Sequence, residues 1–188
     1  MSLTDRWLRV EARMWRLLGS DARALGVLER MLQRRPHDAE ALAGRAHLHA
    51  RAGRQRQALV DFDARLRQQP GDAATWFNKA FVLEQLERWD DALAAFRHAT
   101  ELDAGIDRAW YGMALVLIRL RRLDEAVAAL QRNTELQPLS PYGWYQLARV
   151  QVERSRPDEA LKIIRHLQGF EPKVAAQLLR ETGLPAPG

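Results

Sequence analysis

Proline stands at Pro36, Pro70, Pro138 and Pro172, at intervals of 34, 68 and 34 residues. Alanine follows the same comb at Ala24, Ala58, Ala92, Ala126 and Ala160, and again at Ala12, Ala46, Ala80, Ala114 and Ala148. Several series sharing one period in the range of about 20–50 residues indicate a stacked array of similar units. An array buries its apolar surface between neighbouring units and offers a long surface to something else.

The period divides the chain into 5–38, 39–72, 73–106, 107–140 and 141–174, with no insertion or deletion. Each unit carries two apolar stripes at helical spacing. In the third, Trp76, Ala80, Leu83 and Leu86 mark one helix, and Trp89, Ala92, Leu93, Phe96 and Ala99 mark the next. Apolar residues at i, i+3, i+4 and i+7 form one face of an amphipathic helix. The turn between the stripes carries Gly19 and Gly53 in the first two units and Glu87-Arg88 in the third. Asp90-Asp91, Asp124-Glu125 and Asp158-Glu159 open second helices, where unpaired amides and the helix dipole favour negative charge. The prolines close their units because the residue before a proline is pushed away from helical geometry. Unit three closes instead at Ala104-Gly105, where glycine takes over the stop.

These residues resemble the tetratricopeptide (TPR) repeat pattern: a tryptophan, a small residue four positions on, an apolar residue, an alanine, an aromatic or leucine, and a closing proline. The pattern reads as Trp76, Ala80, Leu83, Ala92 and Phe96 in unit three. It reads as Trp110, Ala114, Leu117, Ala126, Leu130 and Pro138 in unit four, and as Trp144, Ala148, Ala160, Ile164 and Pro172 in unit five. The resemblance implies an all-α, right-handed α-α superhelix of five 34-residue helix-turn-helix repeats. It further implies a single domain over residues 1–188, closed by a capping helix at about 173–182 in which Val174, Leu178 and Leu179 cover the last repeat. Gly183 and Pro185 stop that helix, and the residues after it fray.

Composition fits a water-soluble chain with 47% apolar and 28% charged residues. No apolar run approaches the roughly 20 residues of a membrane span. The N-terminal residues lack the apolar core of a secretory signal, and there is no cysteine. These features point to the cytoplasm and exclude disulfides and cysteine-based zinc motifs. His37, His47, His49, His98 and His166 show no metal-ligand spacing, phosphate-binding glycine loops are absent, and Ser2, Ser20, Ser140 and Ser155, each of which would need a histidine base to act as a nucleophile, fall at termini or turns. No catalytic residue, metal or cofactor is therefore expected.

First-helix side chains outside the packing comb are the candidate binding residues, because in proteins resembling this one they line a concave groove. They are Phe77, Asn78, Phe81 and Glu84 in unit three, Arg108, Tyr111, Leu115 and Arg119 in unit four, and Tyr142, Tyr145, Gln146 and Arg149 in unit five. Units one and two contribute Arg9, Arg13, Arg16, His47 and Arg51. Rings bury apolar side chains and guanidiniums grip carboxylates, so the expected partner is a protein segment, extended or helical, with apolar and acidic residues. Asn78 and Arg108 resemble the middle of the clamp with which some members hold a C-terminal carboxylate. Ala43, His47 and Gly112 depart from it.

The net charge is +5 and the pI about 10.2, almost wholly from arginine. Units one and two hold 14 Arg against 9 acids, whereas unit three holds 3 bases against 6 acids. The alternative partner is nucleic acid, tracked by the basic repeats and stacked on groove aromatics. The acidic third unit interrupts such a track. A second candidate interface is the N-terminal edge, where Trp7, Met14 and Leu18 occupy a stripe that inner units bury against a preceding unit. Self-association or a partner helix would cover it.

Overall fold

A computed structural model describes residues 3–185 of the chain. They form eleven helices and no strand among the described residues. The helices pair as α1 (Leu3–Leu17) with α2 (Asp21–Arg34), α3 (Ala39–Arg51) with α4 (Gln55–Gln68), and α5 (Ala73–Gln85) with α6 (Trp89–Leu102). Two further pairs are α7 (Asp107–Arg119) with α8 (Leu123–Leu136), and α9 (Pro141–Glu153) with α10 (Pro157–Gln168). α11 (Pro172–Thr182) closes the series. The chain falls into two compact units, Met1–Leu102 and Asp103–Gly188.

Both alanine combs lie in the cores of the hairpins. Ala24, Ala58, Ala92, Ala126 and Ala160 are fully buried, as are Ala46, Ala80, Ala114 and Ala148. The bulk beside them comes from Leu28, Phe62, Phe96, Leu130 and Ile164, again 34 residues apart and all buried. A small residue at the helix crossing and a large one four positions later fill the space at interior density. A larger side chain on the comb would overpack it, at about 1–3 kcal/mol.

The turn inside each hairpin is the same left-handed cap. Gly19, Gly53, Glu87, Arg121 and Ser155 have φ of 69°, 73°, 56°, 60° and 57°. In the third repeat the Glu87 N–H donates to the Glu84 carbonyl at 2.9 Å and the Arg88 N–H to the Leu83 carbonyl at 3.0 Å. The four other turns repeat that pair of bonds. This is the Schellman arrangement, which satisfies the last carbonyls of the first helix. The following residue then accepts from the comb alanine, as in Ala92 N–H to the Arg88 carbonyl at 2.8 Å.

The connections between repeats also recur. The indoles of Trp76, Trp110 and Trp144 donate to the carbonyls of Pro70, Ala104 and Pro138 at 2.8, 2.9 and 2.8 Å. What this position supplies is a carbonyl, which explains how Ala104 stands where others have proline. Two expectations are corrected here. Gly105 is not left-handed; its N–H donates to the Asp103 side chain at 2.8 Å, and that Asx-type turn follows α6. Pro172 does not end α10, which stops at Gln168; it opens α11, where a missing N–H costs nothing.

α11 packs on α9 and α10, with Ala175 and Leu178 fully buried and Val174 and Leu179 half-buried against the same cluster. Gly183 ends it with φ of 68° and an N–H bonded to the Leu179 carbonyl. The expected fraying of Leu184-Pro185-Ala186-Pro187-Gly188 falls largely on residues outside those described.

Candidate protein-binding surface

In the first unit, α5 presents Phe81, 48% exposed, beside the half-buried Phe77 and Asn78. Phe77 also serves the hairpin, its ring 6.2 Å from the buried ring of Phe96. On α3, His47 stands edge-on to Phe62 at 5.8 Å. His47 keeps an exposed edge, yet partial desolvation of its ring, then the charges of Arg16 and Arg65, hold it below the usual histidine range, outweighing a bond to the Ala43 backbone. His49, two residues on, is buried instead.

The basic character of this unit is largely spent internally. Arg9, read from the sequence as an inner-face cation, donates to the buried Asp38 at 2.8 Å and lies 3.1 Å from Glu40. Arg13 pairs with Glu40 at 2.9 Å and Arg51 with Asp21 at 3.2 Å. Arg45 holds Asp61, and Arg65 holds Asp72 together with Thr75. Asp72 and Asp38 in turn cap α5 and α3 through their N-terminal amides. Burial alone would raise the Asp72 carboxyl, but Thr75 and Arg65 outweigh it and hold it below the usual range.

The second unit carries the denser aromatic set. Tyr142 on α9 is 71% exposed, and Tyr111 and Leu115 on α7 and Tyr145 on α9 are half-buried. Arg108, Arg119 and Arg149 are exposed on the same two helices. Arg149 lies over the Tyr145 ring at 5.7 Å from its centroid. The Tyr145 hydroxyl donates to Glu181 of α11 at 2.5 Å, so the capping helix reaches onto the first-helix surface. Arg149, Val152, Glu153, Glu181 and Thr182 close a cleft of about 540 Å³ around Tyr145.

A larger cleft of about 800 Å³, which the sequence reading did not anticipate, lies on the first unit among α4, α5 and α6. Its walls include Val60, Leu59, Leu86 and Trp76, whose ring stacks on His98 at 4.7 Å. The Lys79 ammonium lies 5.0 Å from the Trp76 ring and pairs with Asp63 at 2.7 Å. The available signal was Val60, an apolar residue off both stripes of its repeat, 65% exposed in the fold.

The tetratricopeptide repeat model matches residues 43–105, 77–141 and 111–175 in overlapping pieces, more than half of the chain. The chain belongs to the tetratricopeptide repeat family. Solved structures of that repeat architecture are similar to it over nearly its whole length. A MamA protein aligns with a TM-score of 0.86 at 18% identity, covering 94% of this chain and 96% of its own. MamA 41-end from Desulfovibrio magneticus RS-1 aligns at 0.85 and 20% identity, covering 92% and 98%. YrrB, described as a TPR protein with an unusual peptide-binding site, aligns at 0.80 and 20% identity, covering 90% and 88%. No curated protein is significantly similar in sequence. At these identities the likeness carries the fold and not the ligand. No helix among the described residues is long and apolar enough to cross a membrane, and no cluster of three metal-ligating side chains occurs among them.

Proposed function

We propose that this chain is an adaptor-type interaction module, working in the cytoplasm without catalysis or cofactor, that holds an extended or helical segment of a partner protein. The observation that carries the reading is the set of first-helix rings outside the alanine combs, flanked by arginine and left in solvent or half-covered: Phe81, Tyr111, Tyr142 and Tyr145. The hairpin cores are filled without most of these rings, and Tyr and Arg at a surface are the side chains that most often anchor a partner. Phe77, Phe81, Tyr111, Leu115, Tyr142 and Tyr145 would take up apolar side chains of the segment. Asn78 would bond its backbone, and Arg108 and Arg149 would meet acidic side chains or a terminal carboxylate. Peptide binding by the structurally similar YrrB supports the same assignment.

The internal ion pairs of Arg9, Arg13, Arg45, Arg51 and Arg65 leave less free cationic surface for phosphate than the formal charge suggests, which favours protein over nucleic acid. The test is capture from the native host by the wild-type chain and by a Tyr142→Ala/Tyr145→Ala variant, washed at low and high salt. Specific proteins retained at high salt by the wild type and lost by the variant support the reading. Capture of nucleic acid that falls steeply with salt overturns it.

A further inference from the structure

α1 is amphipathic on two faces. One buries Leu8 and Ala12 in its own hairpin. The other carries Leu3, Trp7, Val10, Met14 and Leu17, spaced four, three, four and three residues apart, from 43% exposed at Met14 to 88% at Leu17. Leu18 lies beyond the helix end, so Leu17 rather than Leu18 completes the stripe that Trp7 and Met14 begin. Alternating threes and fours give the 3.5-residue repeat of a helix-pairing seam.

The repeat register shows what this face cannot hold. Thirty-four residues on, the Trp7 position is Ala41, then Thr75, Ala109 and Gly143, all buried, whereas the Val10 position is Gly44, Asn78, Gly112 and Gln146 in turn. A methyl at Gly143 would lie 2.2 Å from Asn133 Oδ1, and one at Gly44 3.2 Å from Leu28. α3, α5 and α9 thus stay small at the Trp7 position, where the preceding helix comes close, whereas α1 places an indole there. A further repeat could not seat on α1 in that way. The far end offers no apolar counterpart either, since the outward face of α11 is polar, with Lys173, Gln177 and Arg180 exposed.

We propose that α1 pairs with α1 of a second copy, parallel and in register, with Trp7, Val10 and Met14 meeting their own counterparts. Charge sets the direction. Arg6 and Glu11 flank the stripe on opposite sides, five residues apart, the offset at which parallel helices exchange ion pairs across a seam; Glu11 accepts from Arg30 of α2 through Oε1 at 2.9 Å, and its Oε2 is the atom that would meet the second copy's Arg6. Two-fold symmetry then gives two Arg6–Glu11 pairs, whereas an antiparallel pair would set Arg6 against the partner's Arg13. The contact uses the same surface on both copies and closes at two. A helix of 15 residues spans only about 22 Å, so the interface lies at the small end of specific contacts and the dimer depends on concentration.

Sedimentation equilibrium of the full chain, from about 1 μM to about 1 mM, tests this over the range a small interface should cover. The average mass is expected to rise from 21.5 kDa toward twice that value. A Trp7→Glu/Val10→Glu variant, changed only at exposed positions, is expected to stay at the single-chain mass with the same helical circular dichroism. The chain has no cysteine, so mild oxidation of a Leu17→Cys variant should link two copies, whereas an antiparallel pair would link only a mixture of Leu3→Cys and Leu17→Cys chains. Single-chain mass across the whole range, equal association of the glutamate variant, or cross-linking only in the mixture would overturn the proposal. Partner capture through the first-helix rings is independent of this seam and should survive Trp7→Glu/Val10→Glu.

Discussion

The Tyr145 hydroxyl donates to the Glu181 carboxylate at 2.5 Å, joining the first helix of repeat five to the capping helix. The bond to Glu181, then partial burial, raises the Tyr145 phenol above the usual tyrosine range, while Tyr145 and then Gln177 hold the Glu181 carboxyl below its own. Because the folded phenol is raised and the carboxyl lowered, the link is complete between the ordinary carboxylate and tyrosine ranges, and is lost as pH climbs through the raised phenol value or falls through the lowered carboxyl value. In Glu181→Gln one of the 3 tyrosines should therefore ionise at lower pH than in the wild type, read by ultraviolet absorbance titration. Glu181→Ala removes the acceptor altogether and frees the Tyr145 hydroxyl, so capture of an acidic segment should strengthen by about two- to fivefold, roughly what one exposed charge-assisted bond is worth.

His49 gives the fold an acid-sensitive point. It is buried in α3, and its Nδ1 has no hydrogen-bond partner among the described residues. Burial, assisted by Arg45 and Arg54 and opposed by Asp61 and Glu29, holds it below the usual histidine range. The unfolded chain then binds the proton more readily, so the stability from neutral His49 is complete above about pH 6.5 and is lost as pH falls through the lowered value. Urea midpoints should fall between about pH 7.5 and about pH 5, and fall less in His49→Leu. An equal fall in both would remove His49 as the cause.

The shared left-handed turn makes opposite predictions for glycine and non-glycine repeats. No heavy atom lies within 4 Å of a Cβ built at Gly53, so Gly53→Ala should show backbone strain alone, about 1 kcal/mol of destabilisation. Glu87→Gly and Ser155→Gly remove the same strain and add back chain entropy, so each should be neutral or stabilising by a few tenths of a kcal/mol. Thermal unfolding of the single variants measures both signs.

The Arg45 guanidinium grips Asp61 with two bonds of 2.8 and 2.7 Å, and the Asp61 side chain is only 3% exposed. Removing Arg45 strands the buried Asp61 carboxylate, so Arg45→Ala should cost about 3 kcal/mol or more in urea unfolding. Arg45→Leu/Asp61→Leu should recover most of that loss, because an apolar pair of similar volume strands no charge.

The hairpins and their cores were legible because one spacing governs them: Ala92 and Phe96 recur in kind wherever the chain returns to the same register. The cap was legible too, since Leu178 follows a break at Pro172 and precedes one at Gly183. What the sequence reading missed is relational. A register argument places Arg9 and Arg13 on an inner face, yet cannot show that Asp38 at the N-cap of α3 and Glu40 in its first turn reach back to engage them. Nor does it show Glu181 arriving at Tyr145 from α11, or the cleft beside Trp76, because each depends on side-chain reach between helices. Glu87 looked like an ordinary turn residue, and only its identical register with Gly53 hinted at a left-handed backbone.

The central claim, that first-helix rings and arginines hold a protein segment, is tested most directly by quantitative mass spectrometry of proteins captured from the native host. The baits are the wild type, Phe81→Ala and Tyr142→Ala/Tyr145→Ala, each verified as folded by circular dichroism. The account predicts that at least one protein enriched by the wild type is depleted severalfold by the ring-removed variants. An unchanged set of captured proteins, at unchanged levels, would contradict it.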